Sequence, residues 1–289
     1  MRAEPAAAPP QLRPLALGEI LDVSIKLVLR SFGTLAAIVL VVGGVFAVLT
    51  VLVALSAAGG GSSDAAAVGA AVAVLVLFFA LYVIVPVACF RAVADTYIGR
   101  EPDWRSSLRF AARRIGSTLW LGLLLIVALA IAFVALVIPY IWLAVAWSVA
   151  FPVMLLEGIG GTKATRRSYR LVRGQWWKCF GTLLVAYILT FVLGLVGSLI
   201  GAAIGAAAGN DVAAVVVQQA INLATQAATL PFFAAVIVVL YVDLRVRKEA
   251  FDLALLAEHI AHPDRPASFG PPGNGDGAPE PARHPAFGE

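Results

Sequence analysis

The chain has 289 residues, 61% of them hydrophobic and only 13% charged, with a mean hydropathy of +0.92 and a formal charge of +4. Soluble domains are nearer half apolar and a quarter charged, so this much apolar surface excludes one water-soluble core and calls for lipid as solvent. The two cysteines, Cys89 and Cys179, each end an apolar run beside basic residues, which argues for small apolar packing residues and against a disulfide.

Met1 to Pro14 is rich in Ala and Pro and lacks the apolar core of a signal peptide, so it is expected to be a flexible N-terminus ahead of a retained first span. Leu17–Phe32 reads as an interfacial helix. Glu19, Asp22, Lys26 and Arg30 fall three and four apart on one face, and Leu17, Ile20, Leu21, Ile25 and Val28 take much of the other. Six apolar runs follow: Leu35–Leu55, Val68–Cys89, Thr118–Val137, Tyr140–Leu156, Gly181–Ala207 and Val215–Tyr241. Each approaches or exceeds the ~20 residues that cross a hydrocarbon core. The third and fourth are almost continuous, and only Ile138-Pro139-Tyr140 offers a turn between them. The sixth is longer than a bilayer requires, with Pro231 as a possible kink. Trp104–Arg114 and Ala164–Trp177 read as two more amphipathic interfacial segments, and Trp176 and Trp177 suit a membrane–water boundary. Pro263–Glu289, rich in Pro and Gly, is expected to be a disordered cytoplasmic tail behind a membrane domain spanning residues 15–262.

All 21 Lys and Arg residues fall before the first run, between the second and third, between the fourth and fifth, or after the sixth. The alternate loops carry only Asp64 and Asp211. By the positive-inside rule this predicts six spans in the cell membrane with both termini cytoplasmic. Three spans also begin alike, at Arg30-Ser31-Phe32-Gly33-Thr34-Leu35, Arg114-Ile115-Gly116-Ser117-Thr118-Leu119 and Lys178-Cys179-Phe180-Gly181-Thr182-Leu183, and their return helices carry Pro86, Pro152 and Pro231. The expected fold is therefore all-α: a polytopic helix bundle of three hairpins, each preceded by a cytoplasmic amphipathic helix. The similar openings also make sense simply as good chemistry for entering a bilayer.

Nothing resembles a catalytic centre. No phosphate loop, nucleophile elbow or zinc-protease helix is present, and His259, His262 and His284 lack the further ligands a metal needs, so neither metal nor cofactor is expected. The span interiors hold no Asp, Glu, Lys or Arg, which speaks against proton-coupled transport. The last span carries an amide stripe, Gln218, Asn222 and Gln226, with Gln219 beside it. It reads either as interhelical glue or as a polar lining for a substrate or headgroup. Gly197, Gly201, Gly205 and Gly209 form a ladder suited to close helix packing, inside the protomer and against the last span. The cytoplasmic basic residues either orient the protein or bind an anionic lipid. Among them, Glu157 is expected to pair with Arg166 or Arg167. Asp243 is expected to pair with arginines of another unit. Arg170, Arg173, Arg245 and Arg247 complete a candidate set of ion-pair or headgroup contacts.

Three blocks together resemble a known group: Arg13-Pro14-Leu15-Ala16-Leu17-Gly18-Glu19-Ile20-Leu21-Asp22; Leu156-Glu157-Gly158 with Ala164-Thr165-Arg166-Arg167-Ser168 and Leu171-Val172-Arg173-Gly174-Gln175-Trp176-Trp177; and Tyr241-Val242-Asp243-Leu244-Arg245-Val246-Arg247-Lys248-Glu249-Ala250-Phe251-Asp252-Leu253. Over roughly residues 13 to 256 the chain resembles bacterial proteins related to the membrane domain of glycerophosphoryl diester phosphodiesterases. In fused members the resemblance assigns hydrolysis to a separate soluble barrel with His and Glu metal motifs. This chain has no such region, so the resemblance implies a stand-alone membrane domain without phosphodiesterase activity. The expected function is a non-enzymatic scaffold at the inner leaflet that binds anionic lipid headgroups or a membrane-protein partner, with no nucleic acid. The alternative is a transporter or flippase-like path lined by the amide stripe.

Overall fold

The computed structural model describes residues 15–58, 64–135, 137–207 and 211–249. The expected flexible N-terminus, the cytoplasmic tail with its histidines, and Gly209 lie outside the described residues. Among the described residues the fold is all-helical. The helices are α1 (Leu17–Arg30), α2 (Phe32–Ala58), α3 (Asp64–Tyr97), α4 (Trp104–Arg113), α5 (Ile115–Ala135), α6 (Val137–Ala146), α7 (Ala150–Glu157), α8 (Gly161–Val172), α9 (Trp176–Ala206) and α10 (Asp211–Glu249).

Five helical stretches among the described residues are long and apolar enough to cross a membrane: Phe32–Leu55, Ile115–Val134, Val137–Glu157, Trp176–Ala206 and Val212–Glu249. The chain is thus a helical membrane protein. Its apolar side chains are turned outward to a degree no water-soluble fold tolerates. Val134 is 86% exposed and Ile138 78%.

The short helices pack by one stripe. α8 buries Ala164, Thr165, Ser168, Leu171 and Val172, a spacing of one, three and four that keeps Lys163, Arg166 and Arg170 exposed. α1 buries Ile20, Ser24, Leu27 and Val28. This corrects the expected face of α1, because Ile25 stays exposed together with Leu29 while Ser24 turns inward and bonds the Ile20 carbonyl at 2.7 Å. The segment Ala164–Trp177 is also not one helix. α8 ends at Val172, Gly174 adopts φ +87°, a left-handed value that favours glycine, and Trp176 and Trp177 open α9.

The turn expected at Ile138-Pro139-Tyr140 does not fall on those residues, which lie inside α6. The fourth apolar run is interrupted instead at Trp147–Val149. Pro152 explains the break: it supplies no N–H to the Ser148 carbonyl, and its ring would clash there in a continuous helix. The Ala150 N–H bonds Trp147 in place of Ala146, at 3.0 Å. The Ala146 carbonyl, deprived of that donor, accepts from Ser168 Oγ of α8 at 2.9 Å, in a buried bond.

α10 is the central post. Residues 234–246 are buried without interruption, walled by α1, α2, α3, α7, α8 and α9. Pro231 is accommodated inside it without ending the helix. Arg114, at the junction of α4 and α5, donates from Nη1 to the Met154 carbonyl of α7 at 3.3 Å, so the start of α5 lies beside the end of α7.

Candidate functional site

The described parts of the three sequence blocks noted above converge at the basic end of the bundle and build two charge networks around the last turns of α10. The first joins α7, α8 and α10. Arg167 places Nε 3.0 Å and Nη2 3.2 Å from the two oxygens of Glu157, a two-point contact, and Nη2 lies 2.8 Å from Glu249 Oε2. Its Nη1 also pairs with Glu249 Oε1. Tyr241 donates its hydroxyl to Glu157 Oε1 at 2.9 Å and accepts from Arg245 Nη1 at 3.2 Å. Arg245 Nε reaches Glu249 at 3.3 Å. Two carboxylates thus face two guanidiniums. The hydrogen bond that Arg167 donates to Glu249 leads the effects that hold its guanidinium more firmly protonated than usual, against the opposing cost of burial.

The second network centres on Asp243, whose side chain is wholly buried. Its carboxylate accepts the Leu15 N–H at 2.7 Å and pairs with Lys178 of α9 and, at 3.1 Å, with Arg247 of its own helix. Lys178 Nζ and Arg247 Nη2 both also donate to the Leu15 carbonyl, each at 2.8 Å. The chain ahead of α1 is held at both its N–H and its C=O, by one carboxylate and two cations.

Of the expected contacts, Glu157 finds Arg167 and not Arg166, which is exposed. Asp243 meets no arginine of another unit: its side-chain partners are Lys178 of α9 and Arg247 of its own helix, both in the same unit. Arg170 and Arg173 keep exposed side chains, while their carbonyls accept from Lys248. Tyr241 and the Leu15 backbone escaped sequence reasoning. The i, i+4 pairs Tyr241–Arg245, Arg245–Glu249 and Asp243–Arg247 were the available signal, since such spacing puts partners on one helix face.

At the opposite end of α10 the glycine ladder meets the polar stripe. A Cβ on Gly197 would collide with Thr225, one on Gly201 would come within 2.8 Å of the Gln218 amide, and one on Gly205 would rest 3.4 Å from Ala214. Gln218 Nε2 donates to Asn222 Oδ1 at 3.0 Å, and Gln219 and Gln226 are half-buried.

A family described as a domain of unknown function (DUF7847) matches residues 106–244. The chain is similar to it over a little under half its length, from α4 to Leu244 of α10. No curated protein and no solved structure matches the chain. The matched stretch contains Glu157, Arg167, Lys178, Tyr241 and Asp243, but neither Leu15 nor the Arg245–Glu249 turn. Among the described residues no three His, Cys, Asp or Glu side chains gather as a metal site.

One large cavity remains. It is apolar, about 1150 Å³, and lies between the α5–α6 pair and a wall made of α3, α9 and α10. Pro86, Gly122, Tyr187 and Phe233 are among its lining residues, and the amide stripe is not.

Proposed function

We propose that this chain is a six-span membrane protein of three hairpins that acts without catalysis as a scaffold at the inner leaflet of the cell membrane, binding anionic lipid headgroups or a membrane-protein partner. We further propose kinship with the membrane domain of the glycerophosphoryl diester phosphodiesterases. α3 supplies the sixth crossing through Val68–Cys89, in a helix of 34 residues. The order of short amphipathic helix, inbound helix and returning helix then occurs three times, as α1–α2–α3, α4–α5–α6/α7 and α8–α9–α10. Both termini lie on the cytoplasmic side, with every lysine and arginine.

The observation that carries this reading is how the basic end divides its charge. Glu157 and Asp243 turn inward, and they and Glu249 at the rim are paired with basic side chains. Lys163, Arg166, Arg170 and Arg173 around α8, and Arg105, Arg109 and Arg113 on α4, are left exposed. Planar guanidiniums at the depth of a headgroup layer favour phosphate. The fit of the glycine ladder against Thr225 and Gln218 supports the amide stripe as helix packing and not as a transport path.

The test uses full-length protein in nanodiscs of mixed phosphatidylglycerol and phosphatidylcholine. Reversing Arg166, Arg170 and Arg173 to Glu together is expected to lower the phosphatidylglycerol share of co-isolated lipid severalfold. An unchanged share overturns headgroup binding. Cysteines placed at Arg109 and Arg166 should react with an impermeant maleimide only after the inner face is opened, and labelling of intact cells refutes the orientation.

A further inference from the structure

We propose that the apolar crevice between α5–α6 and the α3–α9–α10 wall is a built site for the acyl chains of one anionic diacyl phospholipid, whose headgroup is held by the arginines at the α4–α5 junction. The headgroup half rests on the inner-leaflet reading above, whereas the acyl-chain half does not.

The crevice has the chemistry of a lipid tail along its length and of a phosphate at one end. Its volume of about 1150 Å³ exceeds the roughly 300–1,000 Å³ usual for small-molecule pockets. The small hydroxyls in its wall are already spent: Thr118 Oγ1 donates to the Arg114 carbonyl and Ser148 Oγ to the Val145 carbonyl, each at 2.9 Å. A polar guest would find few partners beyond the phenols of Tyr140 and Tyr187 and the indoles of Trp120 and Trp147, whereas an acyl chain needs none. Gly116 is the first lining residue of α5. Arg113, the last residue of α4, lies three residues before it in the chain and is exposed. Arg114 stacks its guanidinium over Phe110 at 5.1 Å and is steered by Met154, which keeps a second cation at that end. α4 contributes Arg105 and Arg109 on the same helix and no carboxylate of its own. Across the mouth, Phe180 stacks on Trp176 with ring centres 5.2 Å apart, the kind of aromatic pair found at headgroup depth. Cation, aromatic boundary and apolar slot therefore follow one another in the order of an anionic phospholipid.

Gly122 gives the means of blocking the slot. It lines the crevice, and a Cβ built there meets nothing within 4 Å, so a large side chain enters empty space and not the protein. Gly44 of α2 is equally open but lies in a separate groove, and serves as the control. Full-length protein is loaded with equimolar phosphatidylglycerol and phosphatidylcholine, washed in detergent, and weighed intact by native mass spectrometry. The expected result is one retained phosphatidylglycerol per chain, a drop in its occupancy of about tenfold in Gly122→Trp, and no change in Gly44→Trp. Arg113→Glu should keep a bound lipid but erase the preference for phosphatidylglycerol.

Equal retention in the Gly122→Trp and unmodified proteins overturns the site. If Gly122→Trp does not fold, phosphatidylglycerol with a diazirine at mid-chain decides on the unmodified protein. Labelling concentrated on α5 and α6 supports the crevice, and labelling spread evenly over α2 and the outer face of α9 overturns it. The Arg166/Arg170/Arg173 reversal separates the two claims. Surface enrichment can fail there while the crevice lipid persists, and Gly122→Trp can leave a retained lipid untouched while surface enrichment stands.

Discussion

Two aspartates at the basic end, alike in sequence, are in opposite electrostatic situations. Asp243 is wrapped by Lys178, Arg247 and the Leu15 N–H. Removing it leaves two cations and an amide facing a buried void, and Asp243→Ala should cost about 3–5 kcal/mol, read as a lower unfolding temperature in detergent and faster proteolysis ahead of α1. Asp95 pairs with Arg91 at 2.9 Å, yet burial outweighs Arg91 and Arg100 and raises its carboxyl above the usual range. An acid whose folded value is raised loses stability as pH climbs through its ordinary range. Asp95→Asn is therefore expected to leave stability at neutral pH unchanged or improved, and a thermal melt with a clear loss would contradict that balance. The exposed cap Asp103 behaves in the reverse sense. Backbone N–H groups of Ser106 and Arg105 hold its carboxyl below the usual range. Its support for α4 is present at neutral pH and fades as pH falls through that lowered value.

At the scale of elements, hydropathy picked out runs that overlap the five helical stretches long and apolar enough to cross a membrane, because lipid imposes a length and a composition on any crossing helix. It did not foretell the interruption at Trp147–Val149. The cause, Pro152, was visible, but whether a bilayer helix breaks at a proline depends on a neighbour that can serve the freed carbonyl. Here the carbonyl left open by the break is that of Ala146, and Ser168 serves it. Ser168→Ala should orphan the Ala146 carbonyl and cost about 1–3 kcal/mol, seen as a destabilised α8 in hydrogen exchange. The contact of the glycine ladder with the last span was legible from the four-residue spacing of both, although not its register. That register makes a graded prediction. Gly197→Ala meets Thr225 close to its Cβ and should cost about 1–3 kcal/mol by overpacking. Gly201→Ala meets only the movable end of Gln218 and should cost less, and Gly205→Ala, at ordinary contact distance, least. Equal losses at all three would place the helices differently. The charge networks were legible in part: Glu157 with Arg167 could be read from sign and position. The capture of a backbone segment by Asp243 could not, since no pattern in side chains marks a carbonyl as a ligand.

Across the whole molecule, burial is uneven in a way composition cannot show. The basic half of α10 is buried on every side while most of α9 faces outward, although both read as long apolar helices. The difference lies in connectivity, because α10 is approached by α1, α2, α3, α7, α8 and α9, whereas α9 packs mainly on α10. Damage to α10 near Tyr241 should therefore unfold the whole basic end together. Tyr241→Phe, which removes one hydroxyl from the Glu157 network, is expected to lower the unfolding temperature without changing helix content by circular dichroism.

The bond between Leu15 and Asp243 spans 228 positions in the chain. A ribosome adding about 5–20 residues per second needs tens of seconds, roughly, between making one and making the other. Throughout that interval the first amphipathic helix lacks its main partner and can draw only on α2, α3 and α9, besides its exposed apolar residues Ile25 and Leu29. The segment ahead of it is fastened only when the final helix arrives.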